Sequence, residues 1–331
     1  MASKWMLIKK PKILLGVRLM VSGVLLWVLF GKLDRGWTSS VVPPFTRGTV
    51  LWLVGALGLT FFGVVLSALR WGAVLHALGQ QPRIKRLLSH YLAGQFMANV
   101  LPSTIGGDAL RVSRLSRDTG HSPTSFASVV LERMTGWLVL PVITLVALIV
   151  NPGLRHLGRA TTVAETVAGI TLALLLVVLG FATRPGAAAL VHNEGWRRFT
   201  SAVRMGLRQL VHEPAAALRV VATGFAYQLV LVVSVLMAAR ALGMPSGVGP
   251  TAMLAFVPAV LIAQVLPITI SGLGVREGLF ALFLQPLGVP RAQAVALGLL
   301  LYLLNLLVSL LGAPAFAIGH RSDTPAGPTA A

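Results

Sequence analysis

Six ionisable side chains fall inside apolar stretches of this chain: Asp108, Arg111, Glu132, Arg133, Arg276 and Glu277. At the centre of a membrane helix each would cost about 2.5–3.5 kcal/mol if unpaired. Three are acidic and three basic, so they can compensate one another. Arginine brings a planar fork that holds two phosphate oxygens at once. We therefore expect Arg111 and Arg276 to line a central cavity and bind an anionic headgroup, with Glu132 and Glu277 neutralising them otherwise. Glu132 and Arg133 would lie roughly 10 Å deep in a hydrocarbon core about 30 Å thick. Being adjacent on a helix, they cannot face each other and must find partners elsewhere. A purely structural ion-pair role is the alternative for that pair. Asp108 reads equally well as a helix N-cap.

The elements that carry these residues are unusual. Segments 87–118 and 251–288 are apolar but interrupted by Pro, Gly, Ser and Thr. They are also copies of each other. Val100-Leu101-Pro102-Ser103-Thr104-Ile105-Gly106-Gly107-Asp108-Ala109-Leu110-Arg111 matches the twelve residues from Val265 to Arg276 at seven positions, without gaps and at an offset of 165 residues. Pro102 and Pro267 would end a first half-helix, and Thr104 and Thr269 with the glycines would allow a reversal. A second half-helix starting near Gly107 or Gly272 would present free N–H groups to phosphate or carboxylate. Non-helical backbone at membrane depth is tolerated only where protein or a water-filled cavity covers it. Each segment is thus expected to dip into the membrane and return on the same side. The bland alternative is a structural hairpin without a ligand.

Full spans are expected at about 13–31, 50–71, 125–150, 163–182, 218–242 and 292–319, each long enough to cross a bilayer. Three of them separate the two copies, so the second copy would enter from the opposite face. The fold class that follows is an all-α polytopic membrane protein, with about six transmembrane helices and two re-entrant hairpins in an inverted-topology repeat. Residues 1–321 would form one domain and 322–331 a disordered tail. Gly55, Ala56, Gly63 and Ala68 suit close helix packing.

Composition sets the limits. Only 11% of the 331 residues are charged and 56% are apolar, too little polar surface for a soluble domain. The net charge of +19 would suggest nucleic acid in a soluble protein. Here most basic residues, Arg70 and Arg114 among them, sort to one side under the re-entrant reading. That side is then the cytoplasm, with both termini on it. Nucleic acid is not expected as a partner. The absence of Cys excludes disulfides and thiolate chemistry, and the seven His form no metal-binding pattern. No cofactor or metal is expected. Arg197, Arg198, Arg204 and Arg208 form a basic amphipathic stretch suited to an anionic cytoplasmic leaflet.

On three stretches the sequence resembles the lysylphosphatidylglycerol synthase transmembrane family, also called the flippase-like domain family. They are Asn99 to Asp108 with Arg111, Ala127 to Arg133, and Pro267 to Gly278, in that order along the chain. Asp108 stands where the commoner pattern has Glu. The resemblance implies a protein of a bacterial inner membrane that moves a lipid or lipid-linked (polyprenyl-phosphate or hopanoid-type) substrate between leaflets. The soluble synthase domain of the bifunctional members has no counterpart in these stretches, so lysyl-lipid synthesis is not implied. Two other functions stay open: a transferase using a lipid-linked donor, with Glu132 as general base, and an accessory scaffold of envelope-lipid synthesis. Oligomeric state is not legible.

Overall fold

The computed structural model describes residues 2–31, 46–100, 104–184, 194–266, 269 and 271–319, and every regular element among them is helical. In chain order the helices are α1 (Ala2–Gly31), α2 (Arg47–Ala77), α3 (Ile84–Val100), α4 (Thr104–Thr119), α5 (Ser122–Val150) and α6 (Arg159–Thr183). They continue with α7 (Glu194–His212), α8 (Pro214–Ala241), α9 (Pro250–Gln264), α10 (Val275–Leu284), α11 (Arg291–Leu310) and α12 (Ala313–Ala317). Local chemistry sets several starts. Thr46 Oγ1 accepts from the Thr49 N–H at 3.2 Å, and α5, α8 and α9 each carry a proline in the first turn, where no N–H is needed.

Among the described residues five helices are long and apolar enough to cross a membrane: α2, α5, α6, α8 and α11. Leu19–Gly31 of α1 and all of α9 are shorter apolar segments. The protein is therefore a multi-pass membrane protein. Two expected spans are cut short: of 13–31 only Leu19–Gly31 is apolar helix of this kind, and α11 stops at Leu310 rather than running to 319. Gly312 passes directly against the Leu92 carbonyl of α3, and Pro314 cannot continue a helical hydrogen-bond ladder. The tail expected from residue 322 onward lies outside the described residues.

α9 is the centre of the packing: Met253, Ala255, Phe256, Val257 and Ala259 are buried. Beside it, α2 and α8 run together over much of their length. Gly55 sits against Met237 and Gly63 against Tyr227 and Leu231, as expected for small residues at a membrane helix interface. Thr60 Oγ1 and Ser234 Oγ lie 2.9 Å apart, and both donate to the Ala56 carbonyl at 2.8 Å. Such bonds hold helices together where water cannot compete.

Both interrupted segments fold back on themselves. In the first, α4 returns along α3: Asp118 Oδ2 lies 2.6 Å from His90 Nε2, and Asp118 Oδ1 lies 3.9 Å from Arg86. In the second, Phe283 of α10 stacks on Phe256 of α9 with centroids 5.0 Å apart. The reversal between them uses left-handed backbone at Ser271 (φ 50°), Gly272 (φ 74°) and Gly274 (φ 87°). Pro102 and Pro267, expected to end the first half-helices, lie outside the described residues.

The second half-helices start elsewhere than expected. α4 begins at Thr104, three residues before Gly107, and α10 begins at Val275, beyond Gly272. Gly107 is thus a helical residue whose missing side chain serves packing, not a turn. A Cβ there would strike the Gly94 carbonyl oxygen and lie 2.9 Å from Ala98 Cβ. Gly107→Ala is expected to wedge the hairpin open and lower stability by about 1–3 kcal/mol, read as a drop in melting temperature of the detergent-purified protein. Gly278→Ala, where nothing lies within 4 Å, should cost nothing by the same measurement.

Candidate functional site

Five of the charged side chains form one line of alternating sign. Arg70 Nη2 donates to Glu132 Oε1. The other oxygen of Glu132 accepts from Arg111 Nη1 and Nη2 at 3.2 and 3.3 Å. Arg111 Nη1 also reaches Asp108 Oδ1 at 3.3 Å, and the same oxygen accepts from Arg133 Nη2 at 2.9 Å. The order is Arg70, Glu132, Arg111, Asp108, Arg133. Three cations face two anions, and the line ties α2, α4 and α5 together.

One end of this line is buried and the other is exposed. The side chains of Arg70, Glu132 and Arg111 are 5%, 1% and 3% exposed, while Asp108 reaches 27% and Arg133 47%. The buried end is built as a cation cage. Arg111 lies 4.3 Å from the ring centroids of both Trp71 and Tyr91, and Arg70 stands 5.1 Å from that of Tyr227. Trp71 is fixed in turn by an Nε1 bond of 3.0 Å to Ser128 Oγ. Gly136 leaves the space that the Arg70 guanidinium occupies, since a Cβ there would lie 3.0 Å from Nη1.

Three expectations about these residues change. Asp108 is not an N-cap, because α4 is already helical from Thr104 and its carboxylate is spent on two guanidinium groups. Arg70, expected among the basic residues of the cytoplasmic side, is buried inside α2. The sequence carries the signal, since the apolar run continues past it through Trp71, Val74 and Leu75. Arg114, expected on the same side, is buried as well and donates to the Ala315 and Phe316 carbonyls at 2.9 and 3.3 Å. It braces the C-terminal end of α12, where the Phe316 carbonyl also accepts the Gly319 N–H at 3.2 Å.

The second hairpin carries its own pair. Arg276 Nε and Nη2 donate to Glu277 Oε1 at 3.1 and 2.7 Å. Neighbours on a helix normally point apart. Here both sit in the first turn of α10, and Glu277 is held in place because its Oε2 accepts the Gly274 N–H at 2.6 Å. Gly298 of α11 makes room, as a Cβ there would lie 2.9 Å from Glu277 Cγ. Tyr302 faces Arg276 at 5.5 Å. Thr269 is buried, and its hydroxyl has no hydrogen-bond partner among the described residues. Arg111 and Arg276 thus each have a separate carboxylate and aromatic partner.

A cavity of about 1080 Å³ opens beside the exposed end of the first network. Its polar wall is Asp108, Ser113, Ser116 and Arg117 of α4 with Arg133 of α5. Its apolar wall runs along α5 and α6, where Ile170 and Leu174 are 63% and 57% exposed, so the space is open sideways. Ile262, Ala263 and Leu266 of the second hairpin complete it. Both hairpins therefore contribute to one space, but Arg111 and Arg276 do not line it. Among the described residues no group of three His, Asp or Glu could hold a metal.

Membrane-crossing helices, two hairpins folded back into the bundle and buried charges paired between them define a polytopic membrane protein built around an embedded polar network. The chain belongs to the family described as the lysylphosphatidylglycerol synthase TM region, whose model matches residues 14–312. The match takes in both hairpins and all the charged residues discussed above. No curated protein and no solved structure matches the chain. Family membership and the membrane-crossing helices together identify a membrane protein of lipid-related processes.

Proposed function

We propose that this protein moves a lipid bearing an anionic headgroup, or a lipid-linked substrate of that kind, between the two leaflets of a bacterial cytoplasmic membrane. The observation that carries this reading is the shape and chemistry of the 1080 Å³ cavity, with charge on one wall, apolar side chains on the other, and a sideways opening along α6. That is the profile of an amphipathic ligand with a polar head and hydrocarbon chains. Arg133 is the cation best placed to meet a headgroup phosphate, which would compete with Asp108 for it. Arg111 and Arg276, with Thr104, Gly107, Thr269 and Gly272 around the two reversals, would then take part as the hairpins rearrange. The hairpins act as the two halves of an inverted repeat, opening the site to each leaflet in turn, with both termini in the cytoplasm.

Both oxygens of Glu132 are engaged by arginines, which suits a counter-ion better than a general base. Co-purification tests the proposal whatever the substrate. Full-length protein purified in mild detergent should carry one phosphate-bearing lipid class enriched over the host membrane. In vesicles of host lipid that class, labelled, should change leaflet without covalent change. A covalently modified product would establish the transferase instead. No enrichment and no leaflet exchange above protein-free vesicles would leave a scaffold.

A further inference from the structure

Building on the lipid-transport reading, we infer that the basic face of α7 forms, with the first turns of α5, a capture site for the phosphate of a membrane lipid bound for the central cavity. A second cavity of about 820 Å³ lies between these helices, with Arg197 and Arg198 on its wall. Val112, Ser122 and Phe126 line this cavity and the 1080 Å³ one alike. The two spaces are thus neighbours that share those side chains as a boundary.

Charge continues across that boundary. Arg197 and Arg198 are exposed at the outer space, and Arg117 and Arg133 are exposed on the wall of the inner one. Arg117 and Asp108 are nine residues apart on α4, which is about 13 Å of helix. The arginines therefore form steps along which a phosphate keeps a cationic partner while its chains follow the apolar wall of α5 and α6. One carboxylate competes at the outer step, Glu194, which lies 3.6 Å from Arg198 and is itself 85% exposed. Arg197 has no carboxylate partner among the described residues. The register of α7 is fixed, because Gly206 packs directly on Leu131, the residue before Glu132. Its basic face is held at the mouth by packing, and it serves as more than a general anchor on an anionic surface.

The same helix supplies the control. Arg204 and Arg208 line a pocket of about 460 Å³ against Ala182, which shares Ser201 and Met205 with the 820 Å³ cavity but has no lining residue in common with the 1080 Å³ one. The full chain is reconstituted in phosphatidylcholine nanodiscs doped with a phosphatidylglycerol carrying a diazirine on its acyl chain. Labelled sites are mapped by peptide mass spectrometry. We expect labelling near Phe126 and near Trp137. R197Q/R198Q should raise the probe fraction giving half-maximal labelling about tenfold, the loss of roughly one good phosphate contact, while R204Q/R208Q shifts it less than about twofold. Equal shifts in both variants, or none in either, overturn the capture site. If Trp137 is still labelled in that case, the transport cavity stands without it. Labelling at Phe126 that depends on Arg197 and Arg198, with none at Trp137, keeps the capture site and removes the transport cavity. No labelling at either wall overturns both.

Discussion

Glu132→Ala is expected to lower stability by about 3–5 kcal/mol, the cost of leaving buried charge without its counter-ion. The loss falls unevenly on its two partners. Arg111 keeps Asp108 at 3.3 Å, whereas the one carboxylate facing Arg70 among the described residues is Glu132. Arg70 would then stay charged and buried, with the Tyr227 ring 5.1 Å away in place of a counter-ion. Thermal unfolding of the detergent-solubilised protein, followed by tryptophan fluorescence, should show a large fall in midpoint or no folded protein at all. The diagnostic is the double variant. Arg70→Met with Glu132→Gln removes both ends of the buried pair, and replacing such a pair by apolar or neutral groups is often harmless. It should recover most of the lost midpoint. If the double variant is as unstable as the single one, the pair is not what holds α2 to α5.

Arg133→Gln carries the largest expected effect on function. Its side chain is 47% exposed and its pairing with Asp108 lies at the cavity wall. Half-exposed ion pairs are worth little to stability, about 0–1 kcal/mol, so the melting midpoint should barely move. A charge-assisted contact to a phosphate is worth about 1.5–3 kcal/mol, so leaflet exchange should fall about 10- to 100-fold. Asp108→Asn works in the opposite direction, because it removes the carboxylate that competes for Arg133. Its half-saturating substrate fraction should drop severalfold in vesicles of host lipid. Unchanged exchange in Arg133→Gln would show that Arg133 is only the end of a structural network.

These two residues show how the sequence divides. Glu132 and Arg133 are neighbours, and their adjacency alone says that they need different partners. The structure gives one of them to the buried interior and the other to an open cavity. Nothing in the local sequence ranks them, because both sit in the same apolar stretch. The side of α5 that meets α2 and α4 decides, and that is a matter of how the helix is rotated about its axis.

The chain by itself determined that the protein is all-helical and polytopic, and five of the six expected crossings fall on helices long and apolar enough to span. Hydrophobic length and proline and glycine placement are local properties, and a membrane enforces them strictly because unpaired backbone is so costly there. The family is legible for the same reason, from three short motifs in order. The start of α4 is not legible, because Gly107 has the look of a turn residue when it is a contact point with Gly94. The early end of α11 is hidden too, since it depends on Gly312 meeting the backbone of α3. Arg70 emerges from the sequence only if an apolar run is followed beyond its first charge. The tertiary structure alone decided the pairing of charges. Coulomb energy depends on distances between side chains far apart in sequence, here 62 residues for Arg70 and Glu132. Sequence composition names the charges that must be compensated, and packing alone selects which one compensates which.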